Sequence, residues 1–179
     1  VWELIKLANH HPRVNILKPG PGVGGHCIAV DPWFIVDSAK NEAKLIRTAR
    51  LINDSKPSFI LNKVNQAVLE MGSIMSEISI TCLGLSFKPN IDDLRQSPAL
   101  EIAREISLMS FKKLYLVEPN IFNIPNCFDH RDDIELVNIE FAVNLSDIVV
   151  LLVDHNEFNQ INLDLLSDKY VIDTRGIWS

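Results

Sequence analysis

From about residue 78 onward, short apolar runs alternate with helical patterns, and this alternation constrains the fold more than any other feature of the chain. Five runs have the length and composition of buried strands: Ile80–Phe87, Leu114–Val117, Ile134–Val137, Ile148–Val153 and Tyr170–Asp173. Between them, Ser97-Pro98 begins a helix, and residues 139–145 have the pattern of a shorter one. Strands that alternate with helices predict an α/β fold with a doubly wound, mostly parallel sheet.

The first part of the chain has a different organisation. Helical patterns cover residues 1–9 and 42–54 and then continue from Pro57 to Met71, where Gly72 is placed to end the helix. A loop rich in glycine and proline occupies residues 10–32. The first helical pattern begins at the first residue, without an initiator Met or an N-cap, so we expect this sequence to be part of a longer protein.

The total charge excludes some partners. The formal net charge of -6 argues against a nucleic acid partner and against a polybasic membrane anchor, but it is compatible with an anionic ligand held by a few local cations. The three cysteines are far apart in the sequence, and the chain shows neither a signal peptide nor a long apolar run. These features predict a cytoplasmic protein with reduced thiols.

The glycine-rich loop carries the strongest chemical signal. Within residues 19–32, Cys27 follows four glycines, and Asp31 follows Cys27 by four residues. Glycine removes side chains that would hold the main chain away from a bound ligand. A thiol in such a loop, with a carboxylate nearby to manage protons, is a candidate covalent nucleophile. The alternative is a structural thiol, which we expect for Cys82 because it lies inside a predicted strand.

Two other interpretations of this loop are weaker. Residues 20–25 match G-x-G-x-x-G, but the flanking prolines and the absence of a preceding strand argue against a dinucleotide fingerprint. A metal site could be assembled from nearby ligand types, although their spacing matches no standard zinc pattern. These ligand types are His10, His11, His26, Cys27 and Asp31.

Cations follow several of the predicted strands. Lys88 follows the first strand, Arg95 lies in the next loop, and Arg175 follows the last strand. Ligands of open α/β sheets bind beyond the carboxyl ends of the strands, so these three side chains are candidates for a phosphate or pyrophosphate site. The alternative is that they are solvated loop charges. The neighbouring pair Asp92-Asp93 is interpreted as a turn and helix-cap feature.

Three segments together resemble one known family. Residues 15–34 closely resemble the catalytic segment of the UDP-glucose/GDP-mannose dehydrogenase family, and residues 84–98 are similar to its second signature. Residues 173–176 also match. The resemblance implies that residues 1–77 are the C-terminal part of a helical middle (dimerisation) domain with the catalytic cysteine loop. Residues 78–179 would then be a Rossmann-like UDP-sugar-binding domain, with the family's N-terminal NAD-binding domain absent from this chain.

The resemblance also implies an activity: the NAD-dependent, four-electron oxidation of C6 of a UDP-sugar from alcohol to carboxylate. Cys27 would attack the intermediate aldehyde, and the thiohemiacetal would be oxidised to a thioester that water hydrolyses, with Asp31 binding or activating the water. The variant segment around Cys27 implies UDP-N-acetyl-D-mannosamine as the substrate, and its product would be used in surface polysaccharide synthesis. Alternatives are UDP-N-acetylglucosamine as the substrate, a non-catalytic nucleotide-sugar-binding module, and a cysteine hydrolase or acyl-transfer enzyme.

By the same resemblance, further residues contact the substrate: Arg13, Lys18, Gly20, Gly22, Gly24, Gly25, Phe87, Lys88 and Arg175. Arg95 would approach the pyrophosphate of NAD. Arg13 resembles an arginine that such enzymes lend to a neighbouring subunit, which implies a homo-oligomer, at least a dimer. Val30 stands where many relatives have a lysine, so no cofactor contact is expected there. We expect the chain by itself to lack dehydrogenase activity.

Overall fold

The computed structural model describes residues 1–128 and 131–178. The elements are α1 (Trp2–Ala8), α2 (Asp31–Ser38), α3 (Lys44–Asp54), α4 (Lys56–Glu70), β1 (Ser79–Leu83), α5 (Pro98–Ser107), β2 (Lys113–Val117), β3 (Ile134–Leu136), α6 (Ile139–Leu145), β4 (Ile148–Leu151) and β5 (Tyr170–Asp173). Short 3-10 turns cover residues 75–77, 126–128, 156–160 and 163–166. Among the described residues, no helix has the length and apolar character needed to cross a membrane.

The five strands form one parallel sheet in the order β3-β2-β1-β4-β5. This is the Rossmann strand order without its sixth strand, and it confirms the predicted α/β class and parallel sheet. In the register of the sheet, Leu83 of β1 lies opposite both Val117 of β2 and Leu151 of β4. The carboxyl ends of the three central strands are therefore level, and the loops that follow them meet at one edge.

Apolar side chains on both faces explain why the strands have continuous apolar sequences rather than alternating ones. On one face, α4 and α5 pack Val64 and Ile102 against Ile80. On the other face, Val143 of α6 and Phe158 pack against Leu151. Cys82 is completely buried in the first of these cores, as predicted from its place in a strand.

Two of the predicted helix boundaries have the expected stereochemistry. Ser97 caps α5, since its side-chain oxygen accepts a hydrogen bond from the Leu100 amide at 3.3 Å. Gly72 ends α4 in the left-handed region at φ +64. The amide of Ser73 donates to the Val68 carbonyl at 3.3 Å, which completes a Schellman-type end.

Two strand ends differ from prediction by more than one residue, and one helix was not expected. Strand β1 ends at Leu83 rather than Phe87, because the amides of Leu85 and Ser86 donate to the Glu118 side chain instead of a neighbouring strand. Strand β4 ends at Leu151 rather than Val153. Helix α2 was not predicted at all, since four successive apolar residues at 33–36 show no helical period.

Candidate active site

The cysteine loop packs onto the carboxyl edge of the sheet. The Gly25 amide donates to the Gln96 carbonyl at 3.3 Å, and the Val23 amide donates to Oδ1 of Asn53 at 2.7 Å. These bonds tie the loop to the turn before α5 and to the end of α3. The loop that carries the candidate nucleophile is thereby placed beside the strand ends that carry the candidate cations.

The glycines of this loop allow close packing against the protein itself. A Cβ atom on Gly25, whose φ is +91, would lie 2.9 Å from Cε2 of Phe87. A Cβ atom on Gly24 would lie 2.6 Å from Cδ of Pro98, and one on Gly20 would collide with the guanidinium of Arg175. Packing is therefore one reason for glycine at these three positions, and a role in cradling a sugar stays a prediction.

Cys27 and Asp31 are joined by one turn of backbone. The Cys27 carbonyl accepts hydrogen bonds from the amides of Val30 at 2.9 Å and Asp31 at 2.8 Å. Asp31 is the first residue of α2, whereas the sequence predicted a loop at this position. The side chains of Cys27 and Asp31 are both exposed. By contrast, burial raises the pKa of the Cys82 thiol to about 12. The accessible thiol of this loop has the exposure that covalent catalysis requires.

Arg175 is held in place by an ion pair. Its Nε lies 2.9 Å and its Nη2 2.8 Å from Oδ1 of Asp154, and both side chains are largely buried. Oδ1 of Asp173 accepts the amides of Arg175 at 2.8 Å and Gly176 at 2.6 Å, which fixes the turn after β5. The guanidinium thus has a defined position over Gly20 at the edge of the sheet.

A small cavity of about 70 Å³ brings together several of the predicted substrate residues. Its lining includes Gly22, Phe87, Lys88, Asp154 and Arg175. Lys88 is exposed, with its Nζ 5.6 Å from the centre of the Phe87 ring. Two cations at the carboxyl edge of a parallel sheet suit an anionic ligand.

Arg95 lies on the turn before α5 with 68% of its side chain exposed. Its Nε and Nη2 bind Asp93 in a forked arrangement at 2.9 and 2.6 Å. These hydrogen bonds lower the pKa of Asp93 to about 2. Asp93 is thus a partner of Arg95, in agreement with the structural role predicted for the Asp92-Asp93 pair.

Two residues predicted to contact the substrate lie away from the small cavity. Arg13 and Lys18 lie exposed in the loop after α1, and neither lines this small cavity. A larger cavity of about 640 Å³ lies between α3 and α5 and includes Arg50 and Arg104, and Cys27 lines neither cavity. We place the site at the smaller cavity, because Lys88 and Arg175 line it together with Gly22 of the cysteine loop.

Three residues near the site were not identified as functional from the sequence: Asp154, Glu118 and His155. Glu118 directly follows β2, and Asp154 and His155 lie in the loop after β4, so a polar residue beyond a strand end was the available signal. Glu118 is buried, and its Oε2 accepts the amides of Leu85 at 2.7 Å and Ser86 at 3.1 Å. Burial alone would raise the pKa of Glu118, but the hydrogen bonds from His155 and the Leu85 amide outweigh burial and lower it to about 2.

The Glu118 carboxylate limits what the turn after β1 can bind. In a dinucleotide-binding sheet, the amides after the first strand face a pyrophosphate. Here two of these amides donate to Glu118, so the turn does not suit NAD. Among residues 1–128 and 131–178, no three histidine, cysteine, aspartate or glutamate side chains are grouped so that they could hold a metal ion.

The fold and the site define a Rossmann-type α/β unit with a cysteine loop docked at the carboxyl edge of its sheet. The sequence model of the UDP binding domain of the UDP-glucose/GDP-mannose dehydrogenase family matches residues 81–179, and the model of the central domain matches residues 1–55. The chain belongs to the UDP-glucose/GDP-mannose dehydrogenase family.

Individual relatives agree with this assignment. The chain is 55% identical over all 179 residues to the NDP-N-acetyl-D-galactosaminuronic acid dehydrogenase of Ralstonia solanacearum, and it covers 41% of that protein. It is 50% identical over 99% of its length to the UDP-N-acetyl-D-mannosamine dehydrogenase of Escherichia coli K12, of which it covers 43%. The solved UDP-D-ManNAc dehydrogenase of Pyrococcus horikoshii matches 99% of the chain with TM-score 0.82 and 34% identity, and 41% of that structure is covered. The chain thus spans about two fifths of these relatives.

Proposed function

We propose that this chain supplies the substrate-binding unit and the nucleophile of an NAD-dependent UDP-sugar 6-dehydrogenase. The observation that carries the proposal is the packing of the cysteine loop against the strand-end residues, with Gly25 beside Phe87 and Gly20 beside Arg175. This packing supports a site in which the thiol and two cations share one edge. A sugar could therefore reach Cys27 while its diphosphate is held at the sheet.

In this proposal the diphosphate binds Lys88 and Arg175. Arg175 is suited to this role because Asp154 holds its guanidinium before any ligand arrives. Phe87 and the backbone of residues 20–25 would border the sugar, with Lys18 close by. Arg13 would act in a neighbouring copy of a homo-oligomer, which is consistent with its exposure in this chain.

The chemistry proposed for Cys27 follows from the properties of a thiolate. After the first oxidation, its sulfur adds to the C6 aldehyde and the aldehyde oxygen takes a proton, giving a thiohemiacetal. Loss of a second hydride from C6 and of the hydroxyl proton to a base leaves a thioester. Water, oriented or deprotonated by Asp31, then adds to the carbonyl, and collapse expels the thiolate and gives the carboxylate. A thiolate is a good leaving group, so the enzyme is regenerated.

When bound, NAD would accept one hydride, so the two oxidations would need two NAD molecules in succession. In this chain the exposed guanidinium of Arg95 could contact its pyrophosphate, whereas the first turn of the sheet could not. The rest of an NAD site would come from outside these 179 residues, so we expect the chain alone to be inactive.

The sugar is the finer part of the proposal. We favour UDP-N-acetyl-D-mannosamine, because the relatives at 50–51% identity include several dehydrogenases of that sugar. The galactosaminuronic acid dehydrogenases at 55% identity support a second candidate, an N-acetylgalactosamine-type nucleotide sugar. Turnover of both sugars and of UDP-N-acetylglucosamine, compared by kcat/KM in the enzyme that contains this chain, distinguishes these candidates.

Binding of UDP tests the substrate site directly. We expect Arg175→Met to weaken UDP binding by about 10-fold or more in calorimetry, because a charge-assisted hydrogen bond is lost. Arg131→Met is the matched control, since Arg131 is also paired with a carboxylate, Asp133, but lies away from the cavity. Equal affinities in the two variants would contradict the proposed phosphate site.

The covalent step has its own test. In the enzyme that carries this chain together with an NAD-binding domain, two NADH should form for each sugar consumed. Cys27→Ala should abolish this stoichiometry while UDP binding stays unchanged. One NADH per sugar irrespective of Cys27 would indicate a simple alcohol dehydrogenase, and none would favour a binding module.

A further inference from the structure

Glu118 and His155 form a buried pair at the carboxyl edge of the sheet. His155 Nε2 lies 3.1 Å from Oε2 of Glu118, and both side chains have no exposed surface. Glu118 follows β2 and His155 lies beyond β4, so the pair reaches across the end of the central strand β1. The loop after β1, which carries Phe87 and Lys88, lies against this pair.

The hydrogen bonds define the proton arrangement of the imidazole. The Asn90 amide, which can only donate, lies 2.9 Å from Nδ1 of His155. Nδ1 is therefore an acceptor, and the ring proton is on Nε2, where it points to Glu118. Ser86 Oγ lies 3.3 Å from the same Nε2 and donates its own proton to the Lys88 carbonyl at 2.9 Å. His155 is thus a neutral ring that accepts on one side and donates on the other.

Together the two side chains hold the loop on both sides of Phe87 and Lys88. Before these residues, Oε2 of Glu118 accepts the amides of Leu85 and Ser86. After them, His155 accepts the amide of Asn90, which has a left-handed backbone with φ +62. Asparagine adopts this conformation more readily than other non-glycine residues, and the hydrogen bond to His155 holds it here. The pair therefore helps to set the path of the turn from which Lys88 projects.

We propose that His155 is a positioning residue that acts through the Asn90 amide to aim Lys88 at the diphosphate of the ligand. The inference depends on the proposed UDP-sugar-binding function. In the described ranges no carboxylate lies within ion-pair distance of Lys88 Nζ, so its direction depends on the path of the turn and on the Phe87 ring, whose centre lies 5.6 Å away. Stability alone does not require such a pair, because apolar side chains of similar volume pack a core as well or better.

Two substitutions test the Nδ1 and Nε2 hydrogen bonds of His155 separately. His155→Asn places a carbonyl near the position of Nδ1 and can still accept the Asn90 amide. The longer side chain in His155→Gln can still donate an amide proton to Glu118. It has no acceptor near the Nδ1 position, so the Asn90 amide loses its hydrogen bond. We expect His155→Gln to weaken UDP binding about three- to tenfold, the effect of one lost hydrogen bond, and His155→Asn to change it less than about twofold.

A stability control and a double mutant complete the experiment. Ser146→Ala removes a buried hydroxyl that donates to the Ala142 carbonyl on the α6 side of the sheet, and it should lower Tm without changing UDP affinity. Lys88→Met should weaken UDP binding, and adding His155→Gln to it should weaken binding no further. Long-range ¹H–¹⁵N spectra of the chain should show the Nε2–H tautomer of His155.

The outcomes separate this inference from the proposed function. If Lys88→Met weakens UDP binding but His155→Gln does not, or if their effects add, the positioning role is wrong while the phosphate site stands. An Nδ1–H tautomer would also overturn the positioning role. If the unsubstituted chain does not bind UDP, the proposed function fails and this inference fails with it.

Discussion

Nη2 of Arg175 lies 2.8 Å from Oδ1 of Asp154, although the two residues belong to the loops after different strands. Strands β4 and β5 are parallel neighbours, so their carboxyl ends place both loops at the same edge. The carboxylate holds the guanidinium over Gly20, where any larger residue would collide with it. This ion pair therefore fixes the side chain against which the cysteine loop packs at the strand ends.

The close approach of Gly25 to Phe87 leads to a prediction about stability. Gly25→Ala should lower the free energy of unfolding by roughly 2–4 kcal/mol, because a left-handed backbone and a tight contact both oppose the new methyl group. Gly72→Ala is the matched control, since Gly72 also has a positive φ but no atom within 4 Å of an added Cβ. It should cost about 1–2 kcal/mol, for the backbone alone. Equal losses of unfolding free energy in urea denaturation would show that the Phe87 contact does not add to the cost of the new methyl group.

The buried carboxylate of Glu118 predicts an acid-sensitive stability. Its pKa is lowered from 4.5 to about 2 in the folded chain, so its contribution is complete above pH 4.5 and is lost as the pH falls toward 2. Denaturation curves between pH 7 and 2 should show this loss, on the order of 3 kcal/mol or less. Glu118→Gln should be less stable at pH 7 and should depend less steeply on pH in that window. A slope unchanged by the substitution would contradict this prediction.

The forked contact between Asp93 and Arg95 predicts a spectroscopic result. Carboxyl ¹³C titration should give Asp93 a pKa near 2 in the unsubstituted chain, because Arg95 donates to both of its oxygens. In Arg95→Gln the pKa of Asp93 should rise toward its ordinary value. Arg104→Gln, which removes another exposed and paired arginine, should leave the titration of Asp93 unchanged.

The different environments of the cysteines predict different reactivities. Iodoacetamide at pH 8 should modify the exposed Cys27 in the folded chain and should leave the buried Cys82 intact. The burial that raises the pKa of Cys82 to about 12 leaves almost no thiolate at this pH. Peptide mass analysis should find Cys82 modified only after denaturant is added. Modification of Cys82 in the native chain would show that the core opens more readily than its packing implies.

Strand positions could be inferred from the sequence because buried parallel strands are apolar on both faces. Their ends could not, since Leu85, Leu152 and Val153 are equally apolar and buried but lie outside the strands. What ends β1 is a carboxylate 33 residues away, Glu118, which takes the amide of Leu85. Helix α2 was missed because its consecutive apolar residues give no period, and its start depends on the Cys27 carbonyl.

The parallel α/β sheet, the capped start of α5 and the family could all be inferred from the amino-acid sequence. These features depend on neighbouring residues, through apolar periodicity, cap chemistry and motif spacing. The pairing of polar groups at the strand ends, by contrast, depends on how the chain folds. Asp154 binds Arg175 across 21 residues and Glu118 binds His155 across 37. Such pairs form because strand order brings distant loops to one edge, where a buried charge has to find a partner.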